Sequence, residues 1–133
     1  MPRRIEVESL GNRTTGPFSD AVSAGDLIFV SGQASVSSDG KIIEDSFRNE
    51  MLRSFDNVKS VLQRCGLTLE DVVSTRAYVQ NPADLDEYNT LYRDVFAPPY
   101  PARTTLVGCL AEGLKFEVDV IAARNSSDEQ FFR

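Results

Sequence analysis

The chain has 133 residues, 14 basic and 20 acidic side chains, no histidine and two cysteines, for a formal net charge of −6. That length suits one domain with one core, and 41% hydrophobic residues is too apolar for a disordered chain. The acidic balance disfavours nucleic acid, whose phosphates reward clustered Lys and Arg. The missing histidine excludes Ser-His-Asp and Cys-His catalysis in their usual forms, and His-based zinc or iron sites.

The first residues, MPRRIEVESLGNR, contain no apolar signal core, and no run approaches the ~20 apolar residues of a membrane span. A cytoplasmic protein is the expectation. Gly16-Pro17-Phe18 reads as a turn followed by an aromatic residue. Residues 27–36 open with an apolar β-rich run. Ser37-Ser38-Asp39-Gly40 is a turn, after which Lys41-Ile42-Ile43 could pair back as a hairpin.

From Asp45 to Cys65 the apolar residues Phe47, Met51, Leu52, Phe55, Val58, Val61 and Leu62 recur at steps of three and four, which predicts a helix with one apolar stripe. Gly66 stands where a helix-ending glycine is expected. Residues 72–80 predict a strand, broken by Asn81-Pro82. A second helix follows over residues 84–96, and the prolines at 98, 99 and 101 force an extended entry into the next strand. Two closing strands are expected at about 103–109 and 115–123. In the second, Phe116, Val118 and Val120 alternate with Glu117, Asp119 and Ile121. Residues 125–133 read as a polar tail or docking segment containing Phe131-Phe132. The two cysteines, Cys65 and Cys109, have apolar neighbours and read as buried thiols.

The order of strands, long helix, strand, helix and strands predicts a single α+β domain over residues 1–133, with its core at about 14–124. A mixed sheet would carry two helices on one face. The other face then needs a partner, and self-association is the simplest supply.

Three groups could carry chemistry. Arg103, opening a strand after Tyr100-Pro101-Ala102, suits bidentate carboxylate recognition, although a structural ion pair is the commoner use of such a residue. Glu117 is either a solvated mid-strand acid or a partly desolvated one fit for acid/base work. Asp119 points the same way and could share its site or pair across an interface. Ser31-Gly32-Gln33 marks either a β-bulge or a place where a ligand approaches the backbone. Ser31 has no adjacent base and is not read as a nucleophile.

These pieces in this order resemble the Rid family, also called RidA or YjgF. The matching features are Gly16-Pro17-Phe18, Val30-Ser31-Gly32-Gln33, Asp56-Asn57-Val58, Tyr88-Asn89 with Tyr92, Pro101-Ala102-Arg103 and Lys115-Phe116-Glu117-Val118-Asp119. The resemblance spans residues 14–124. It implies a chorismate-mutase-like α+β fold and a homotrimer with ligand clefts between subunits. The implied activity is hydrolysis of 2-imino acids, such as 2-iminobutanoate and 2-iminopropanoate, and their enamine tautomers to 2-keto acids and ammonia. The implied enzyme is a hydrolase acting on C–N bonds with no metal or organic cofactor.

By position, Arg103 would bind the substrate carboxylate and Glu117 would activate water. Ser31, Gly32 and Asn89 would line or flank the cleft. Phe18 stands where the family's deaminases carry tyrosine, and Thr105 where they carry cysteine, which changes the pocket around the small imino acids. Relatives acting on larger enamines, such as 2-aminomuconate deaminase, carry similar Arg-Thr-Thr sequences. Two other readings stand beside the deaminase: a keto-acid-binding regulatory trimer without turnover, and RNA cleavage or translation inhibition, against which the acidic balance and missing histidine weigh.

Overall fold

A computed structural model of the chain describes residues 5–6 and 16–124. The expected C-terminal tail, with Phe131-Phe132, lies outside the described residues. The elements in chain order are β1 (Ile5–Glu6), β2 (Ala21–Ala24), β3 (Leu27–Ala34), α1 (Phe47–Arg64), β4 (Val72–Val79), α2 (Leu85–Val95), β5 (Ala102–Val107) and β6 (Phe116–Ala123). They build one six-stranded mixed sheet in the order β1-β2-β3-β6-β4-β5. The β4–β5 pair, joined through α2, is parallel. The other neighbours run antiparallel. The expected α+β architecture, with two helices on one face, is the one observed.

Side chains alternate across each strand, so one parity is buried under the helices. On β3 that set is Ile28 and Val30, on β4 it is Thr75, Ala77 and Val79, and on β6 it is Phe116, Val118, Val120 and Ala122. The apolar stripe of α1, led by Met51, Phe55, Val58 and Leu62, packs onto them. Phe55, Tyr88, Tyr92, Phe96 and Phe116 form one aromatic cluster with ring centroids 4.9–6.5 Å apart.

The ends of α1 follow from capping chemistry. Ser46 Oγ accepts the Asn49 N–H at 3.1 Å, so the helix begins one residue after the serine. At the other end Gly66 takes φ +78°. Leu67 N–H donates to Leu62 O and Gly66 N–H to Gln63 O, the paired bonds of a Schellman stop. Asn57 Nδ2 donates to Ala34 O (2.9 Å) and Val36 O (3.1 Å), tying the helix to the end of β3.

Two expectations need correction, and one strand was not foreseen. Cys65 is buried, but Cys109 is exposed, because Gly108 at φ +79° turns the chain out of the sheet and ends β5 early. The hairpin expected at Lys41–Ile43 shrinks to a single bridge between Val36 and Ile42. Strand β2 is missed by a pattern search because its Ala-Val-Ser-Ala sequence is poor in β-formers. Register with β3 across the two-residue Gly25-Asp26 loop stabilises it instead.

Glu50 sits inside the apolar stripe of α1 and is fully buried. Its carboxylate accepts the Asp45 N–H (2.9 Å), the Lys115 N–H (2.9 Å) and Lys115 Nζ (3.3 Å). One side chain thus joins the start of α1 to the start of β6. Glu50→Ala removes all three bonds and leaves the two backbone donors without their acceptor. It is expected to cost about 3 kcal/mol, read as the shift in urea-unfolding midpoint at fixed protein concentration.

Candidate functional site

Because Phe116, Val118, Val120 and Ala122 face the helices, Glu117, Asp119 and Ile121 must face the open side of the sheet. Glu117 stands between Ala34 on β3 and Tyr78 on β4. Val30 pairs with Val120 but Gln33 pairs with Val118, so β3 spends three steps where β6 spends two. Ser31-Gly32 is therefore a bulge, and the bulge adjoins Glu117. A Cβ on Gly32 would collide with Glu117 Oε2 and lie 3.2 Å from Cδ. Glycine here lets the carboxylate rest against the backbone.

Ser31 Oγ donates to Ser19 O at 2.6 Å and so pins the loop before β2. That loop turns on a Phe18 N–H to Gly16 O bond and presents Phe18, which is 56% exposed. Together these groups wall an open concavity of about 920 Å³, whose lining includes Phe18, Ser31, Gly32, Arg76, Glu117 and Asp119. Burial raises the Glu117 pKa above the ordinary glutamate value, and the nearby Asp119 charge raises it further. Asp119 is held within the chain, its Oδ2 accepting from Arg76 Nε (3.2 Å) and Tyr78 OH (2.9 Å).

Arg103 lies on the other face. It is the β5 partner of Thr75, which is buried under α2 with its Oγ1 2.8 Å from Tyr92 OH. The guanidinium carbon sits 4.9 Å from the Tyr88 ring centroid and 4.8 Å from that of Tyr92. Nη1 donates to Asn89 Oδ1 at 2.9 Å. The Thr105 hydroxyl is 2.8 Å from Tyr88 OH on this same side. A small cleft of about 220 Å³ opens beside Asn89, Tyr100, Pro101 and Arg103.

The site residues expected from sequence thus fall into two sets. Phe18, Ser31, Gly32 and Glu117 converge on the open face, and Asn89, Arg103 and Thr105 converge beside α2. A single chain does not unite Arg103 with Glu117. Their β4 partners, Thr75 and Tyr78, are three residues apart and so point to opposite faces. Sequence reading missed Arg76 and Tyr78 as the partners of Asp119, because cross-strand register has no local signature. Among the described residues, no helix is long and apolar enough to cross a membrane.

A family profile described as endoribonuclease L-PSP matches residues 10–124. The chain is 30% identical over 122 residues to a 2-iminobutanoate/2-iminopropanoate deaminase of Dermatophagoides farinae, covering 90% of this chain and 95% of that one. It is 34% identical over 107 residues to the RutC family protein YjgH of Escherichia coli, covering 79% and 81% of the two chains. Its fold matches the crystal structure of YyfA from Yersinia pestis, a Rid-family protein of unknown function, with a TM-score of 0.82 at 26% identity, over 91% of this chain and 99% of that one.

A raised carboxyl pKa means that the folded state holds the Glu117 proton more tightly than the unfolded chain does. Its contribution to stability is therefore full below the unfolded value of about 4.5 and is lost as pH rises through the folded value. Glu117→Gln is expected to melt at a higher temperature than wild type at pH 7 and to lose that advantage below pH 4.5. Thermal melts across this range check it.

Proposed function

The chain belongs to the Rid family, and from that premise we propose that it is a hydrolytic deaminase converting reactive 2-imino acids and their enamine tautomers to 2-keto acids and ammonia. One observation carries the reading: a half-buried carboxylate, Glu117, seated against the Gly32 bulge and facing an open concavity, with its pKa raised by burial. The deaminase named among its relatives supports it.

An imine carbon is already electrophilic, so positioned water and a proton carrier suffice. In the proposed reaction, Glu117 takes a proton as water adds to the imine carbon. Glu117 returns that proton to the carbinolamine nitrogen, the C–N bond breaks as the hydroxyl oxygen forms the carbonyl, and Glu117 accepts the hydroxyl proton as ammonia leaves the 2-keto acid. The Gly32 N–H would orient the substrate, and Phe18 would pack against its side chain. Arg103 would clamp the carboxylate, pre-oriented by two tyrosine rings and Asn89.

In this reading the active site forms between copies, in a homotrimer. Arg103 of one copy, on its edge strand, reaches the Glu117 face of the next. Two features support the assembly. The two groups lie on opposite faces of one chain, and the open face leaves Phe18, Leu27, Phe29 and Leu106 exposed. RNA cleavage is the weaker reading, since the charged groups lining the concavity are Glu117 and Asp119 against Arg76 alone.

The test generates 2-iminopropanoate and 2-iminobutanoate in situ and follows keto-acid release. Wild type is expected to exceed the buffer rate, Glu117→Ala to lower kcat about 100-fold or more, and Arg103→Ala chiefly to raise KM. A wild-type rate equal to buffer, with a measurable ribonuclease activity instead, rejects the reading. Refolding Arg103→Ala with Glu117→Ala as a mixture is expected to restore roughly one quarter of wild-type activity, because that share of shared sites draws both intact residues. No recovery on mixing rejects the shared site.

A further inference from the structure

Asp119 lies two residues beyond Glu117 on β6, on the same face of the sheet. Its β4 partner is Arg76, and the β4 partner of Glu117 is Tyr78. Tyr78 sends its hydroxyl diagonally past that partner to Asp119 Oδ2 (2.9 Å), and Arg76 Nε donates to the same oxygen at 3.2 Å. Two donors on one atom hold the Asp119 carboxylate in place beside Glu117. Tyr78 is also the residue directly across from Glu117 on the β4 side.

We propose that Asp119, anchored by Arg76 and Tyr78, is a positioning residue that sets the pH at which Glu117 exchanges its proton. The inference rests on the deaminase reading for its purpose, though not for its physics. Like charges on adjacent same-face positions disfavour double ionisation, so Asp119 makes Glu117 a stronger base toward water while leaving it able to return the proton. Arg76 acts oppositely. By offsetting the Asp119 charge it limits how far that charge raises Glu117.

Among the described residues, the surroundings leave few other sources for such an effect. From β6 the titratable neighbour is Asp119, and from β4 they are Arg76 and Tyr78. The facing groups on β3 are Ser31 and Gly32, on β5 Thr104, and on the preceding loop Phe18, none of which titrates. In the shared site proposed above, Arg103 of the neighbouring copy would be one further charge. Its effect is subtracted by repeating each measurement in an Arg103→Ala background.

The direct test is a carbon-13 NMR titration of the Glu117 carboxyl in protein without substrate, assigned with Glu117→Gln. Asp119→Asn keeps the shape and one acceptor for both donors but removes the charge, and the Glu117 midpoint is expected to move to lower pH. Asp119→Glu is expected to restore it. Arg76→Gln alters a side chain that is 60% exposed, so folding is spared, and it is expected to move the midpoint the other way, to higher pH. The acid limb of the kcat profile for imine hydrolysis should follow both displacements. A midpoint unmoved in Asp119→Asn, or displaced downward in Arg76→Gln, overturns the proposal. If Asp119→Asn does not fold, the sign of the Arg76→Gln displacement decides alone. Titration shifts of the expected signs without any imine hydrolysis would leave the coupling standing and reject the deaminase instead.

Discussion

The pleat of the central strand organises the molecule. β6 is paired on both sides, with β3 and with β4, and its buried parity is entirely apolar. Burying Phe116, Val118, Val120 and Ala122 under the helices holds the strand's register, since a slip of one residue would drive Glu117 and Asp119 into the core. The same constraint delivers both acids to the opposite face. Core packing and acid placement are two consequences of one alternation.

Around that strand, each part of the candidate site has its own physical support. The β3 bulge brings Gly32 against Glu117, and only a residue without a Cβ tolerates the approach. The Ser31 hydroxyl serves the scaffold by fixing the loop that presents Phe18. On the far side, Tyr88 and Tyr92 belong to the aromatic core and also form the surface on which the Arg103 guanidinium rests. The rigidity of the core is thereby passed to an exposed cation. A half-buried carboxylate such as Glu117 works against stability at neutral pH, which fits a group kept for chemistry more than for packing.

The separation of Arg103 and Glu117 onto two faces gives meaning to the exposed side of the sheet. A sheet covered by helices on one face leaves its other face to water or to another protein. Here that face carries exposed apolar side chains beside ionisable ones, and the complementary arginine points elsewhere. An assembly that brings an edge strand of one copy to the open face of another would satisfy both conditions at once.

Much of this was legible in the sequence, because it depends on local periodicity and capping. The α1 stripe, its stop at Gly66, the α2 helix and the alternation through residues 116–121 all follow from spacing and residue type, and so does the choice of Glu117 and Arg103 as candidates. Tertiary structure alone decided what depends on register between distant strands. It set Arg76 and Tyr78 against Asp119 across more than forty residues of chain. It gave β2 a partner that its composition does not advertise, and it buried Glu50 against Lys115 inside a mostly apolar stripe. It also put Arg103 and Glu117 on opposite faces, which no pattern within either strand reveals. The parity of one strand is written in its own residues, but the parity of two strands relative to each other exists only once their hydrogen bonds have formed.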